Sequence, residues 1–170
     1  ARELSATGDR RLVETALARS NARSLSLRAL DICTGSGCVA ITIARERPTA
    51  NVTGSDISRP ALEVARDNAV RLAAFNVAFF EADLFALPPR KGPTRFDLIT
   101  ANPPYIPEGE APELAVDITR YEPHNALFAG EDDLTVVRRI VAEAPEHLDA
   151  GGVLAMEVAA GQSVAVVPLF

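Results

Sequence analysis

The chain has 170 residues, of which 48% are hydrophobic and 24% charged, and these values are typical of one globular domain rather than a disordered chain. Its net charge of -6 at pH 7 disfavours a protein that binds nucleic acid by neutralising many phosphates. Cys33 and Cys38 do not suggest a disulfide framework, and no apolar run has the length of a membrane span or signal-peptide core, so we expect a soluble cytoplasmic protein without a membrane partner.

Apolar periodicity and turn residues predict strands that alternate with helices along the chain. In chain order we predict a helix over 9–18, a strand over 29–32, a helix over 38–47 and a strand over 51–55. A helix then starts with Ser58 as its cap, and its apolar face consists of Leu62, Ala65, Ala69 and Leu72. After it we predict strands over 77–80 and 96–101, a helix over 133–147, a strand over 153–158 and a helix that starts near Gly161. Such alternation implies right-handed crossovers and a parallel sheet. The predicted fold class is α/β, with a parallel-sheet core and helices on both faces.

The segment DICTGSGCVA has the pattern G-x-G-x-x-G/A at Gly35, Gly37 and Ala40, and Asp56 ends the next predicted strand. Glycine lets the backbone approach a ligand, and a carboxylate accepts hydrogen bonds from ribose hydroxyl groups, so an adenosine-containing ligand is indicated. A carboxylate at Asp31 suits the ammonium and sulfonium of S-adenosyl-L-methionine, whereas it repels the pyrophosphate of a dinucleotide. This favours the methyl donor. A nicotinamide site and a turn without a ligand remain the alternatives.

The segment Asn102-Pro103-Pro104-Tyr105 follows the predicted fourth strand. Prolines hold their backbone stiffly and offer carbonyl acceptors, the asparagine amide adds another acceptor, and the tyrosine adds a flat apolar face. Such a clamp suits a planar group with an NH₂, either an amide or the amine of a base, whose nitrogen lone pair it would aim at an electrophile. The alternative is a proline-stiffened strand exit with a surface tyrosine. No cluster in the sequence has metal-ligand spacing, so we expect no metal.

Six segments together resemble the HemK-type protein-glutamine N5-methyltransferases, which modify peptide chain release factors or a large-subunit ribosomal protein. They are DICTGSGCVAI, GSDISRPALEVARDNA, EADLF, FDLITANPPYI, YEPHNALFAGEDDL and GGVLAMEVAAGQ, and the resemblance covers residues 29–165. It implies the Rossmann-like fold of class I S-adenosylmethionine-dependent methyltransferases. It also implies S-adenosyl-L-methionine as cofactor, S-adenosyl-L-homocysteine as product, and a protein substrate such as the GGQ loop of a release factor, with nucleic acid disfavoured as the direct substrate.

The resemblance also implies a role for each motif residue. The cofactor-binding residues would be Asp31, Thr34, Gly35, Ser36 and Gly37 at the methionine end, Asp56 with Ile57 at the ribose, Asp83 with Leu84 at the adenine, and Asn102. The substrate amide would lie against Asn102, Pro103, Pro104 and Tyr105, of which Asn102, Pro103 and Tyr105 would be the catalytic residues. Cys33 departs from the usual pattern, because most class I enzymes have a glycine there.

We therefore expect residues 1–170 to form a single methyltransferase catalytic domain. The N-terminal helical domain that recognises the substrate in this family, and the last strands of its sheet, are not expected within these residues. Three alternatives remain open. The clamp would also accept the amine of a base, as in an N6-adenine or guanine-N2 nucleic-acid methyltransferase. The glycine loop would also fit an NAD(P)-dependent reductase, and a chain that lacks the family's upstream loop could be a non-catalytic remnant.

Overall fold

The computed structural model describes residues 26–89, 95–104, 106–107, 128–130, 134–159 and 161–170. The predicted helix over 9–18 and the predicted site residue Tyr105 lie outside these ranges. The strands are β1 (Arg28–Ile32), β2 (Asn51–Asp56), β3 (Val77–Glu81), β4 (Phe96–Ala101), β5 (Ile106–Pro107), β6 (Phe128–Gly130) and β7 (Leu148–Met156). The helices are α1 (Cys38–Glu46), α2 (Arg59–Arg71), α3 (Thr135–His147) and α4 (Ser163–Val166), and a 3₁₀ turn, Val167–Leu169, follows α4.

Five strands form one parallel sheet in the order β3-β2-β1-β4-β7. The chain moves outward from β1 to β3 and then returns to the other side of β1 with β4, so the strand order reverses between β1 and β4. Strands β5 and β6 pair separately, also in parallel. The predicted parallel α/β sheet is confirmed. The sequence did not predict β5 and β6, because strands of two and three residues are too short to show an apolar period.

Helices cover both faces of the sheet, as predicted. Neighbouring strand residues point to opposite faces, and Leu98 packs with α1 and α2 whereas Ile99 packs with α3. At the start of α2, the Ser58 hydroxyl accepts a hydrogen bond from the backbone of Ala61, which is the predicted cap. Leu72 was predicted on the apolar face of that helix, but α2 ends at Arg71 and the Leu72 side chain is 46% exposed.

Strand β7 differs from its predicted range of 153–158. It starts at Leu148, directly after α3, and includes the Gly151-Gly152 pair, which lies between the predicted helix and the predicted strand. Gly151 has a positive φ of 82°, and the pairing of β7 with β4 shifts register between Phe96 and Leu98. The two glycines therefore lie in an irregular part of the strand, where the register shifts, and not in a loop. None of the helices in the described part of the chain is both long enough and apolar enough to cross a membrane.

Candidate functional site

The predicted site residues meet at the carboxyl edge of the sheet, where the strand order reverses. Asp31 lies near the end of β1, Asp56 ends β2, and Asn102 is the first residue after β4. Parallel α/β sheets bind ligands at such a reversal, because the loops on either side diverge and leave a crevice. The tertiary structure thus brings the glycine loop and the asparagine–proline segment to one place, although they are far apart in sequence.

Backbone hydrogen bonds hold the glycine loop to β2. The Thr34 N–H donates to the carbonyl oxygen of Ser55 at 3.0 Å, and the Gly35 N–H donates to Asp56 Oδ2 at 2.8 Å. The other Asp56 oxygen accepts from the backbone N–H of Ser58 at 2.8 Å. Asp56, predicted to bind a ribose, therefore also ties the loop to the start of α2, and its remaining lone pairs are available to a ligand.

A phenylalanine ring supports the loop from below. A Cβ built on Gly54 would lie 2.5 Å from Phe79 Cδ1, so only glycine lets this ring lie over β2. Gly37 has a φ of 82°, and a Cβ there would lie 3.0 Å from both Phe79 Cζ and Ile41 Cδ1. Gly35 differs, since a Cβ there would meet nothing within 4 Å although its φ is 54°. The upper side of the loop is thus open, as a ligand that approaches the Gly35 backbone requires.

The Asp31 carboxylate is buried, with 3% of the residue exposed. Its Oδ2 accepts hydrogen bonds from the Thr34 hydroxyl at 2.5 Å and the Ala40 N–H at 3.2 Å, and its Oδ1 accepts from the Thr100 hydroxyl at 2.6 Å. Burial raises the pKa of Asp31, while these hydrogen bonds oppose that rise. Asp31 was predicted to hold the methionine end of the donor. In the structure it organises the loop that would do so, and few of its acceptor sites remain for a ligand.

The remaining predicted cofactor residues lie in the glycine loop and just beyond the ends of β2 and β3. Ser36 is exposed, and its carbonyl oxygen accepts a hydrogen bond from the Asn68 amide at 3.1 Å. Ile57 is 55% exposed directly after Asp56, so an apolar side chain is available beside the predicted ribose position. Leu84 is buried with a φ of 50°. Its side chain is thus part of the core, and only its backbone is a candidate for ligand contact.

Asp83, predicted to contact the adenine amine, forms an ion pair in the structure. Arg139 of α3 donates from Nη2 to Asp83 Oδ2 at 2.9 Å and from Nη1 to Oδ1 at 3.2 Å. Both side chains are about half exposed, so this pair adds little to stability. It does fix the direction of the carboxylate. The adenine role of Asp83 stays a prediction, and any ligand there would share the carboxylate with Arg139.

The asparagine–proline segment lies at the end of β4. Asn102 is exposed, and its side-chain amide has no hydrogen-bond partner within the described residues. Pro103 is fully buried, which anchors the backbone beside the asparagine, and Pro104 is half-buried. A rigid backbone that carries an exposed amide without a partner is the arrangement predicted for a clamp. The catalytic and substrate-binding roles of these residues, and that of Tyr105, stay predictions.

Three residues of this region were missed by reasoning from sequence: Thr100, Arg139 and Asn68. Each acts through a contact between elements far apart in the chain, with Asp31, Asp83 and the Ser36 carbonyl respectively. Only Thr100 had a usable signal, because pairing β1 with β4 places it directly beside Asp31. That signal requires the strand order, which apolar periodicity does not give.

Cys33 has a φ of 54°, the conformation that explains why a glycine is common at this position. Its side chain packs on the core beneath the site. Burial, followed by the nearby carboxylates of Asp56, Asp31 and Asp83, raises the pKa of the Cys33 thiol to about 12. Cys33 is therefore a packing residue and not a nucleophile, because at pH 8 only about one thiol in 10⁴ would be a thiolate.

We expect one fast-reacting thiol in the native protein, because Cys38 is exposed, whereas Cys33 is partly buried against the core and its burial raises the pKa of its thiol to about 12. A chromogenic thiol reagent at pH 8 should titrate one equivalent rapidly, and a second much more slowly unless urea is added. Cys38→Ala should abolish the rapid phase, and Cys33→Ala should leave it unchanged. Two equivalents of equal rate in the folded wild type would contradict the packing of Cys33 against the core.

No metal centre is evident in the described ranges, since no group of three or more His, Cys, Asp or Glu residues there could hold an ion. A groove of about 470 Å³ lies between α1 and α2, with Ser36, Arg45 and Asn68 among its lining residues. Its lining does not include Asp31, Asp56 or Asn102. Ser36 is the one predicted donor-binding residue of the described chain that lines this groove, so the groove does not coincide with the predicted donor site.

Residues 29–121, more than half of the chain, match a family model described as a methyltransferase domain. The chain is 44% identical over 156 residues to a release factor glutamine methyltransferase of Vibrio cholerae, covering 92% of this chain and 53% of that protein. It is 47% identical over 131 residues to a ribosomal protein uL3 glutamine methyltransferase of Xylella fastidiosa, covering 76% of this chain and 40% of that protein. The chain spans about half the length of the curated relatives it matches.

Solved structures show the same fold at lower identity. TrmN from Thermus thermophilus matches with a TM-score of 0.61 and 24% identity, covering 91% of this chain and 40% of that one. The ribosomal protein L11 methylase from Lactobacillus delbrueckii subsp. bulgaricus matches with a TM-score of 0.58 and 19% identity, covering 96% of this chain and 68% of that one. These two likenesses support the predicted fold.

Proposed function

Because this chain belongs to the methyltransferase domain family, we propose that it transfers a methyl group from S-adenosyl-L-methionine to the side-chain amide nitrogen, N5, of a glutamine in a protein. We propose a peptide chain release factor, at its GGQ loop, or a ribosomal protein as the substrate, and hence a cytoplasmic location. The relatives named for glutamine methylation of these two substrates support this, at 44% and 47% identity. The five-stranded sheet supports our further proposal that this chain acts as one catalytic domain.

The glycine loop supports the choice of donor. The open side at Gly35 lets a ligand contact the backbone. The Asp56 carboxylate has free lone pairs that would accept hydrogen bonds from a ribose, and the exposed Ile57 offers an apolar face. When bound, S-adenosyl-L-methionine supplies an electrophilic methyl group on a positively charged sulfur. The buried carboxylate of Asp31 lies beneath the loop and favours a positive charge nearby.

The exposed Asn102 amide is the observation that carries the assignment of a planar NH₂ acceptor, and the relatives named for glutamine methylation favour glutamine over a base as that acceptor. It stands on a backbone fixed by the buried Pro103, at the strand end next to β1, and has no partner within the described part of the chain. Its side-chain oxygen and the Pro103 carbonyl would each accept one N–H of the substrate amide. Both acceptors hold the NH₂ group so that its lone pair is directed at the donor methyl. The amide nitrogen would then accept the methyl group that the bound donor supplies and would lose one N–H proton to water, with S-adenosyl-L-homocysteine as the leaving product.

The proposal is tested by incubating the protein with a donor labelled in its methyl group and with a release factor, a ribosomal protein uL3 and total tRNA in parallel. We expect label on one glutamine of a protein substrate, located by mass spectrometry of its peptides. A substrate whose modified glutamine is replaced by glutamate should accept no label, since it lacks the amide nitrogen. Label in tRNA alone would instead favour the nucleic-acid methyltransferase alternative.

Calorimetry separates the remaining alternatives. We expect heat of binding with S-adenosyl-L-methionine and none with NADH. The family match already favours methyl transfer over a nicotinamide-dependent reductase. No heat with either ligand would support the non-catalytic alternative, and donor binding without transfer to any glutamine or base would end the proposal of glutamine methylation.

A further inference from the structure

The Asp31 carboxylate joins the two halves of the site. One of its oxygens accepts from Thr34 at 2.5 Å and from the Ala40 N–H at 3.2 Å, and both donors belong to the glycine loop and the first turn of α1. The other oxygen accepts from Thr100 at 2.6 Å, on the strand that carries the asparagine–proline segment. The carboxylate therefore connects the predicted donor loop to the predicted substrate clamp through its two separate oxygens.

Thr100 lies close enough to Asn102 for its hydrogen bond with Asp31 to affect where the clamp lies. It pairs in register with Asp31, and it precedes Asn102 by two residues, so at most about 7 Å of chain lies between them. Its hydroxyl donates to a buried, charged group, and such bonds are shorter and stronger than those between neutral groups. The link is thus both short along the chain and stiff.

We propose that Thr100 is a positioning residue whose hydroxyl, through the Asp31 carboxylate, fixes the distance between the glycine loop and the Asn102 clamp. The inference rests on the proposed function, because it assigns Thr100 a part in aligning the substrate amide with the donor. Thr100 itself need not touch either reactant. Alignment matters because a displacement of about 1 Å between reacting groups can lower the rate about 10²-fold.

The first test is a comparison of Thr100→Val, Thr100→Ser and Thr42→Val. Valine has nearly the shape of threonine but no hydroxyl, while Thr34 and Ala40 still hold the loop to Asp31. We expect Thr100→Val to lower kcat for glutamine methylation about tenfold or more and to change the Kd of S-adenosyl-L-methionine less than about threefold. Thr100→Ser should restore most of kcat. Thr42→Val is the matched control, because that hydroxyl bonds only within α1 and is exposed.

The second test needs neither donor nor substrate. The Thr100 bond stabilises the charged form of Asp31, so its loss costs most where Asp31 is charged and least where it is protonated. Among the described residues, Asp56 and Cys33 are the other ionisable groups that interact with Asp31, and Asp56 raises its pKa. We expect the difference between the urea midpoints of Thr100→Val and the wild type to be largest at pH 8 and to shrink as Asp31 becomes protonated, in a pH series that runs down to the lowest pH at which the wild type stays folded. Thr42→Val should show no such difference.

Three results would overturn the inference. These are a kcat for Thr100→Val equal to that of the wild type, equal losses in kcat and donor affinity, and a Thr100→Ser variant no better than valine. If the wild type itself transfers nothing to glutamine, the proposed function fails, and the pH dependence of the urea midpoint still decides the Thr100–Asp31 link. A midpoint difference that stays the same across the whole pH series would then refute that link.

Discussion

Replacing Asn102 with alanine should lower kcat for methyl transfer by about 10²- to 10³-fold, while the Kd of S-adenosyl-L-methionine changes by less than about threefold. The amide is exposed at the end of β4, and the described contacts of the glycine loop do not involve it. Its loss therefore removes an acceptor for the substrate amide without disturbing the loop. Single-turnover rates with labelled donor, together with calorimetry, give the two quantities separately.

A matched control is available on β2, which β1 separates from β4 in the sheet. Asn51 is also exposed, but it starts β2 at the amino edge of the sheet, opposite the crevice. Asn51→Ala should leave both kcat and Kd unchanged. If Asn102→Ala weakens donor binding as much as it slows transfer, Asn102 belongs to the donor site and the clamp is misassigned. An unchanged kcat would remove Asn102 from the chemistry altogether.

Replacing Gly37 with alanine should lower the free energy of unfolding by about 2–5 kcal/mol, the largest loss of stability expected from a single change in the loop. Two costs combine. A φ of 82° is unfavourable for any residue with a Cβ, by about 1–2 kcal/mol. The new methyl group would also lie 3.0–3.1 Å from Ile41, Phe79 and Ala65, on three different elements. Crowding of this kind adds about 1–3 kcal/mol.

Gly161→Ala isolates the first cost from the second. Gly161 also has a positive φ, of 94°, but a Cβ there would meet nothing within 4 Å. We expect a loss of only about 1–2 kcal/mol for this variant. Urea unfolding of the two variants and the wild type measures the difference. Equal losses would mean that the core beneath the loop relaxes around the added methyl group, and the support that Phe79 gives to the loop would then be unimportant.

The loop and the clamp depend on different kinds of support. Backbone hydrogen bonds and the Phe79 ring hold the glycine loop, so its shape exists before any ligand binds. The clamp depends on one buried proline and on its strand, and it is tied to the loop through Asp31 and Thr100. Changes under the loop should therefore act mainly on stability and donor binding. Changes to the hydrogen bond between Thr100 and Asp31 should lower the rate of methyl transfer.

The sequence by itself determined the repeating strand and helix pattern, the cap at Ser58 and the two motifs that carry the chemistry. These depend on local properties: the apolar period, the side-chain acceptor at a helix start, and the backbone freedom of glycine and rigidity of proline. For the same reason the predicted bounds of the last strand were wrong. The strand was predicted to begin at Val153, after the two glycines, whereas β7 begins at Leu148 and includes Gly151-Gly152.

The tertiary structure alone decided which residues support the site. Thr100 donates to Asp31 from 69 positions away, Arg139 holds Asp83 from 56 positions away, and Phe79 packs against Gly54 and Gly37. No local pattern encodes these pairs, because they arise only after β4 has paired beside β1 and α3 has packed on the sheet. Reading the motifs identified the groups that could react. Their alignment follows from the strand order, because distances between side chains on separate strands are set by the sheet and not by the spacing along the chain.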